Sequence, residues 1–467
     1  MVLSRIWSAF IIVAILVASI KYLVSDNYKA IYNDMVVGKS GDTVQIATKN
    51  NSEISPLIQK NLLAKKDFTE NRIHYKSDSA QSKVNVYRVQ QTDGVIGTSE
   101  TAVKICLGLI GIMTLFMGFM SIAEKAGGIN LLSRMIQPFF SKLFPEIPKN
   151  HPAFGHMLLN FSANLLGLDN AATPFGLKAM ESLQTINPDK DRASNSQIMF
   201  LCLHAGGLTL IPVSIIAIRA SMGSHTPTDI FLPCMIATFA ATLAAMIVVS
   251  LYQKINLLQP VVIAYVGGIS AIIALLVVYL VNLSKEGLDD FSKLLSNGII
   301  LLIFFAIVLG ALYKKINVFD AFIDGAKEGF WTCVKIIPYL VGMLIAISLL
   351  RTSGVFDVLI DGMKWVAQVV GFDTRFVDGL PTALIKPLSG SGARGMMVDT
   401  MQTFGADSFQ GRLAAVLQGS SDTTFYVIAI YFGAVGIKNT RYTVTAMLLA
   451  DLVGIITSVI LAYLFFA

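Results

Sequence analysis

The 467-residue chain is 54% hydrophobic and only 14% charged, with a mean hydropathy of +0.65, which excludes an ordinary soluble domain and reads as an integral membrane protein. The net charge of +6 comes without a basic arm or recognition motif, so nucleic acid is not an expected partner. Positive loops are usual in membrane proteins.

In chain order, residues 6–24 form an apolar run behind Arg5, with no small-residue cleavage site, and read as an uncleaved signal anchor over 1–25. Residues 26–100 are polar, with scattered Val and Ile and turn signals at Gly41-Asp42, Asn50-Asn51 and Asp93-Gly94. They read as a small soluble α/β or mostly β insert, whose lone His74 reads as a surface residue. Spanning helices are expected near 103–123, 197–220, 229–253, 260–283, 297–314, 330–350, 411–436 and 441–466. Cys106, Cys202, Cys234 and Cys333 lie within apolar runs without metal-ligand or disulfide spacing. No metal and no cofactor is expected.

Two segments, 154–185 and 379–405, are each a pair of short apolar stretches around a small-residue turn. The turns are Gly167-Leu168-Asp169-Asn170-Ala171-Ala172-Thr173-Pro174 and Pro387-Leu388-Ser389-Gly390-Ser391-Gly392-Ala393-Arg394-Gly395. Neither arm spans a bilayer alone, so both read as re-entrant hairpins buried in protein or lining a wet cavity. Each follows an amphipathic stretch, 128–144 and 354–370, suited to the interface.

After each hairpin comes an apolar helix interrupted in mid-span: Leu201-Cys202-Leu203-His204-Ala205-Gly206-Gly207-Leu208-Thr209, and Ala415-Val416-Leu417-Gln418-Gly419-Ser420-Ser421-Asp422-Thr423-Thr424. Paired interruptions in corresponding halves point to a transporter's midplane site; close helix packing through glycine is the plainer reading. The halves match as 101–255 and 330–467, linked by two helices in 256–329. An odd number of crossings between them makes the repeat inverted. The expected fold class is therefore an all-α polytopic membrane protein with an inverted repeat, two re-entrant hairpins and two broken helices, plus the soluble insert.

Loop charge orients it. With the N-terminus cytoplasmic, inside loops carry Lys125, Arg134, Lys142, Lys149, Lys190, Arg192, Lys254, Lys314, Lys315, Lys327, Lys438 and Arg441. Outside loops carry Lys285, Lys293, Arg351, Lys364, Arg375 and Arg412. Residues 26–100 and the C-terminus then lie outside.

Asp422 is the leading candidate for ion coupling, because a carboxylate in an apolar span needs a reason; Asp169 at the first turn either holds a proton or cation or caps a helix. Solute-binding candidates are Asn164, Asp169, Asn170, Thr173 and His204 in the first half, and Ser389, Ser391, Arg394, Gln418, Ser420, Ser421, Thr423 and Thr424 in the second. The Gly-Ser-Gly turn, a helix start near Ala393 and Arg394 together suit an anion or polar group; the structural alternative pairs Arg394 or Lys386 with Asp399 or Asp422. His204 matches Gln418 between the halves, and Asp451 matches Phe239. No enzyme signature accompanies Gly390-Ser391-Gly392, and no catalytic residue is expected.

The run Asn160-Phe161-Ser162-Ala163-Asn164-Leu165-Leu166-Gly167-Leu168-Asp169-Asn170-Ala171-Ala172-Thr173-Pro174 resembles the spore maturation protein A family. Lys386-Pro387-Leu388-Ser389-Gly390-Ser391-Gly392-Ala393-Arg394-Gly395, with Gln418-Gly419-Ser420-Ser421-Asp422-Thr423-Thr424-Phe425-Tyr426, resembles spore maturation protein B. The resemblance implies a fused protein of the nucleoside recognition, or Gate, group, similar to the membrane core of concentrative nucleoside transporters, in a bacterial inner membrane. The expected function is a permease for a small polar or anionic solute, coupled to H⁺ or Na⁺, with lipid around it and a homo-oligomer as one arrangement. The rival is a non-transporting envelope-assembly factor acting through 26–100.

Overall fold

The computed structural model describes residues 2–50, 62, 67–70, 73–78, 83–148, 151–165, 169–282 and 285–467. It is a helical membrane protein with, among the described residues, one small sheet. Five helices among the described residues are long and apolar enough to cross a bilayer: Trp7–Val24, Val95–Lys125, Phe231–Gln253, Pro260–Tyr279 and Thr443–Phe466.

Helix α1 (Val2–Val24) leads through α2 (Ile31–Val36) into strands β1 (Gly38–Asn50), β2 (Asp67–Glu70), β3 (Ile73–Asp78) and β4 (Lys83–Asp93). The strands form an antiparallel sheet of order β1-β4-β3-β2. The expected turn at Gly41-Asp42 lies inside β1, where a register shift between Lys39 and Asp42 absorbs it. His74 pairs through its backbone with Thr69 and Tyr87; its side chain lies outside the described residues.

The first half continues with α3 (Val95–Lys125), α4 (Gly128–Leu143), the packed pair α5 (Pro152–Leu165) and α6 (Asp169–Ile186), then α7 (Asn195–Gly206), α8 (Val213–Ser221) and α9 (Phe231–Gln253). α10 (Pro260–Val262) runs through a π-turn (Ile263–Gly267) into α11 (Gly268–Val281), and α12 (Lys285–Tyr313) follows. The second half repeats the order: α13 (Val318–Thr352), α14 (Val355–Val369), the short α15 (Pro381–Ile385), α16 (Gly390–Phe404), α17 (Phe409–Gly419), α18 (Thr424–Ala434) and α19 (Thr443–Phe466). The end of α13 and α14 meet at 74°.

Helices α3 and α13 pack along Gly325 and Gly329, where a Cβ would run into the backbone oxygens of Met117 and Met113. Small residues four apart let two membrane helices approach this closely.

Among the described residues two large apolar cores, beside smaller clusters, hold the helices together. One joins α3, α8, α13, α16 and the middle of α17. The other joins α5, α6, α7, α9, α18 and α19. Helix α7 sits in the second core and α8 in the first, whereas α17 sits in the first and α18 in the second. Each interrupted helix therefore passes from one core to the other, and both interruptions lie where the cores meet.

Candidate functional site

Both interrupted helices begin on a serine cap. Ser194 and Gln197 form a reciprocal capping box at α7, and Ser408 Oγ accepts from the Gly411 N–H at α17 (3.0 Å). The two helices end differently. α7 stops on Gly207 in the left-handed region (φ 63°) and α8 restarts after Pro212, local signals that need no partner. At α17 the Ser420 backbone stays right-handed, and the break is held by tertiary bonds. The Asp422 N–H donates to Ala205 O (2.8 Å) and the Phe425 N–H to Pro387 O (2.9 Å). Likewise the Leu210 N–H donates to Leu165 O (2.8 Å). Each break is thus tied to its own helix pair, and the breaks are tied to each other.

At this junction His204, 5% exposed, faces Asp422, 44% exposed, with Nε2 and Oδ2 3.6 Å apart. Asn164 Nδ2 lies 2.7 Å from His204 Nδ1, and Asn160 Oδ1 lies 3.1 Å from the same nitrogen. In a neutral ring with its N–H on Nε2, facing Asp422, Nδ1 accepts from Asn164 Nδ2. A protonated ring would instead donate from Nδ1 to Asn160 Oδ1. The two asparagines thus provide a partner for either charge state. Asn160 is anchored by its own Nδ2 donating to Ala172 O (2.6 Å), and the Tyr431 ring packs edge-on to His204 at 4.9 Å. Asp422 Oδ1 accepts from the Thr423 N–H (2.6 Å) at the start of α18, where the helix dipole favours a negative charge.

The second break carries more charge. Buried Lys386 donates to Gln418 O (2.6 Å) at the C-terminal end of α17, a cation on exposed carbonyls. Buried Asp451 of α19 accepts from Thr424 Oγ1 (2.6 Å) and lies beside Ser421. Ser420 Oγ bonds back to Leu417 O (3.0 Å).

Helix α16 starts at Gly390, three residues before the expected Ala393, because Ser389 caps it: Ser389 Oγ accepts from the Gly392 N–H (3.0 Å). Ser391 Oγ is 3.3 Å from Ser389 Oγ. Gln418 Nε2 lies 3.5 Å from Gly390 O. Arg394 is half-buried in the first turn of α16. Asp399 is held by another arginine: Arg351 Nε lies 2.7 and 2.8 Å from its two oxygens. Asp422 faces His204. Thr173 is exposed on α6 beside Tyr431. Asp169 and Asn170 open α6, but their side chains lie outside the described residues.

A further cluster was not expected. Arg219 of α8, 0% exposed, donates to Asp229 (2.9 Å), Asp407 (2.9 Å), Ser224 Oγ (3.0 Å) and Ala406 O (2.7 Å). Arg412 Nε donates to Asp229 (2.7 Å). This network joins the loop after α8 to the loop before α17. At the other end of the interrupted helices the corresponding loops meet mainly through backbone, the Lys438 and Asn439 N–H groups donating to Asp191 O and the Ala193 N–H to Asn439 O. The exposed Lys438–Asp191 pair (3.2 Å) adds to them, as does Arg441 Nη1 donating to Ala193 O (3.1 Å) and Asn195 Oδ1 (2.9 Å). Among the described residues no group of three or more His, Cys, Asp or Glu could hold a metal ion.

Helices apolar and long enough to cross a bilayer, packed with two interrupted helices that meet at a polar junction, define a polytopic membrane protein. The family model described as nucleoside recognition (Gate) matches residues 106–222 and again 333–438. The chain is 45% identical to spore maturation protein B of Bacillus subtilis (strain 168) over 172 residues, 37% of this chain and 95% of that protein. It is 44% identical to spore maturation protein A of the same organism over 156 residues, 33% of this chain and 80% of that protein. No solved structure matches the chain. The chain belongs to the nucleoside recognition (Gate) family, and it resembles spore maturation proteins A and B joined in one polypeptide.

Proposed function

We propose that the chain is a non-enzymatic secondary permease of the bacterial inner membrane, moving a small polar or anionic solute with a coupling cation. The observation that carries this reading is the junction of two interrupted helices at His204 and Asp422, partly open to solvent and built from both halves. In this reading α5–α6 and α15–α16 are re-entrant hairpins, the halves form an inverted repeat, and the two arrangements of such a repeat expose one site to opposite faces. Residues 26–100 and the C-terminus lie outside the cell. H⁺ is the preferred coupling ion, because Asn160 and Asn164 leave His204 a partner in either protonation state.

The test is uptake into proteoliposomes of labelled nucleosides, amino acids and small carboxylates, with an imposed pH or Na⁺ gradient. Uptake of one class, driven by the pH gradient and lost in Asp422→Asn, is the expected result. No uptake of any class by protein that unfolds cooperatively would sink the transport reading. Uptake driven by Na⁺ alone would remove H⁺ as the coupling ion.

A further inference from the structure

Gln418 is 95% buried by its 5% exposure, and its Oε1 has no hydrogen-bond partner among the described residues. A buried amide oxygen left unpaired destabilises the fold, so its retention calls for a reason outside the fold. Its surroundings supply one. The carboxamide lies against the turn that opens α16, with Nε2 3.5 Å from Gly390 O. At that turn Ser389 Oγ satisfies the Gly392 N–H, while the N–H groups of Gly390 and Ser391 belong to the helix start, which has no intrahelical acceptor. Helix α16 is 15 residues long, so its positive dipole end adds to those donors. A side chain at 390 would collide with Thr423 Oγ1, 2.6 Å from where its Cβ would lie, so glycine keeps the turn open beside that hydroxyl.

We propose that the Gly390 turn binds the carbonyl or carboxylate oxygen of a small solute that also carries an N–H or O–H donor, and that Gln418 Oε1 accepts from that donor. The geometry pairs two donors and a dipole with one acceptor a short distance away. An α-amino acid or a primary amide meets both demands; a plain carboxylate meets the first alone and a plain amine the second alone. This names the solute class for the permease reading and rests on it.

The experiment compares melting midpoints of the purified full chain in detergent, with glycine, acetamide, acetate and methylammonium as probes. Glycine or acetamide raises the midpoint of the native protein, whereas acetate and methylammonium at equal concentration do not. Gln418→Met, which removes the unpaired oxygen at similar volume, melts at or above the native midpoint without ligand. It also weakens the effective probe about tenfold, the worth of one hydrogen bond. Gly390→Ala, if it melts near the native midpoint, also loses the probe.

Three results overturn the proposal: Gln418→Met melting clearly below native, acetate acting as well as glycine, or no probe shifting the native protein. These are binding measurements. Probe binding through Gln418 without uptake by proteoliposomes would uphold the site and refute transport.

Discussion

Asp407 accepts from three donors: the Arg219 guanidinium, the Ser224 hydroxyl (2.5 Å) and the His225 backbone N–H (2.8 Å). Burial alone would raise its carboxyl. The Ser224 and His225 bonds with the Arg219 and Arg412 charges outweigh it and hold Asp407 below the ordinary carboxylate value. A carboxyl lowered in the folded state stabilises the fold above its unfolded value, about 3.9, and that contribution is lost as pH falls through the folded value. The native melting midpoint should therefore drop below about pH 4. Asp407→Asn should melt lower at pH 7 and lose less on acidification. Scanning fluorimetry from pH 7 to pH 3 reads both slopes, and equal slopes would acquit Asp407. None of this was legible in the sequence: Arg412 reads as a loop cation, and Arg219 as part of an apolar helix. The Arg219–Asp407 and Arg412–Asp229 pairs cross between the halves of the chain, and spacing carries no signal of that.

The two interrupted helices show which features local chemistry announces. The first break is written in Gly207 and Pro212, so it is visible as a break in the sequence, although the Leu210–Leu165 backbone bond also ties it to its neighbours. The second has no glycine at positive φ and no proline, and depends on the Asp422–Ala205 and Phe425–Pro387 backbone bonds. The sequence reveals its polar residues but not what holds it. The same limit displaced the start of α16, because Gly390-Ser391-Gly392 looks like a turn until Ser389 is recognised as its cap. It also hid the bond of Asp399 to Arg351, a residue that hydropathy assigns to a loop. The physical difference is measurable. Gly207→Ala forces an L side chain into the left-handed region, at about 1–2 kcal/mol, and places its Cβ 3.3 Å from the Asp422 N–H. The variant should unfold earlier in denaturant by that amount, and should also weaken the contact between the breaks, seen as faster hydrogen exchange at Asp422. Unchanged exchange at Asp422 would mean that the second break stands without the first.

Because each interrupted helix crosses between the two cores, neither core can shift without changing the junction they share. The ends of that crossing are closed unequally: one by the Arg219–Asp229–Asp407–Arg412 network around the fully buried Arg219, the other by backbone bonds around Asp191 and Asn439, the exposed Lys438–Asp191 pair and Arg441 bonded to Ala193 O and Asn195 Oδ1. Removing one member of a buried ion network leaves its partner uncompensated, a loss of about 3–5 kcal/mol. The networked end is therefore the harder one to open. In the orientation and the permease reading proposed above this end faces outward, so an outward gate should depend on it. Ser224 and Asp407 touch across the two halves. Cysteines at both positions, with the four native cysteines replaced, should form a reversible cross-link. A third cysteine at Thr209, partly exposed in the first break, reports access. With the cross-link closed, a membrane-impermeant thiol reagent should reach it from the cytoplasmic face alone; after reduction it should react from both faces. Labelling from outside that survives the cross-link would show that solute enters by a path this network does not close.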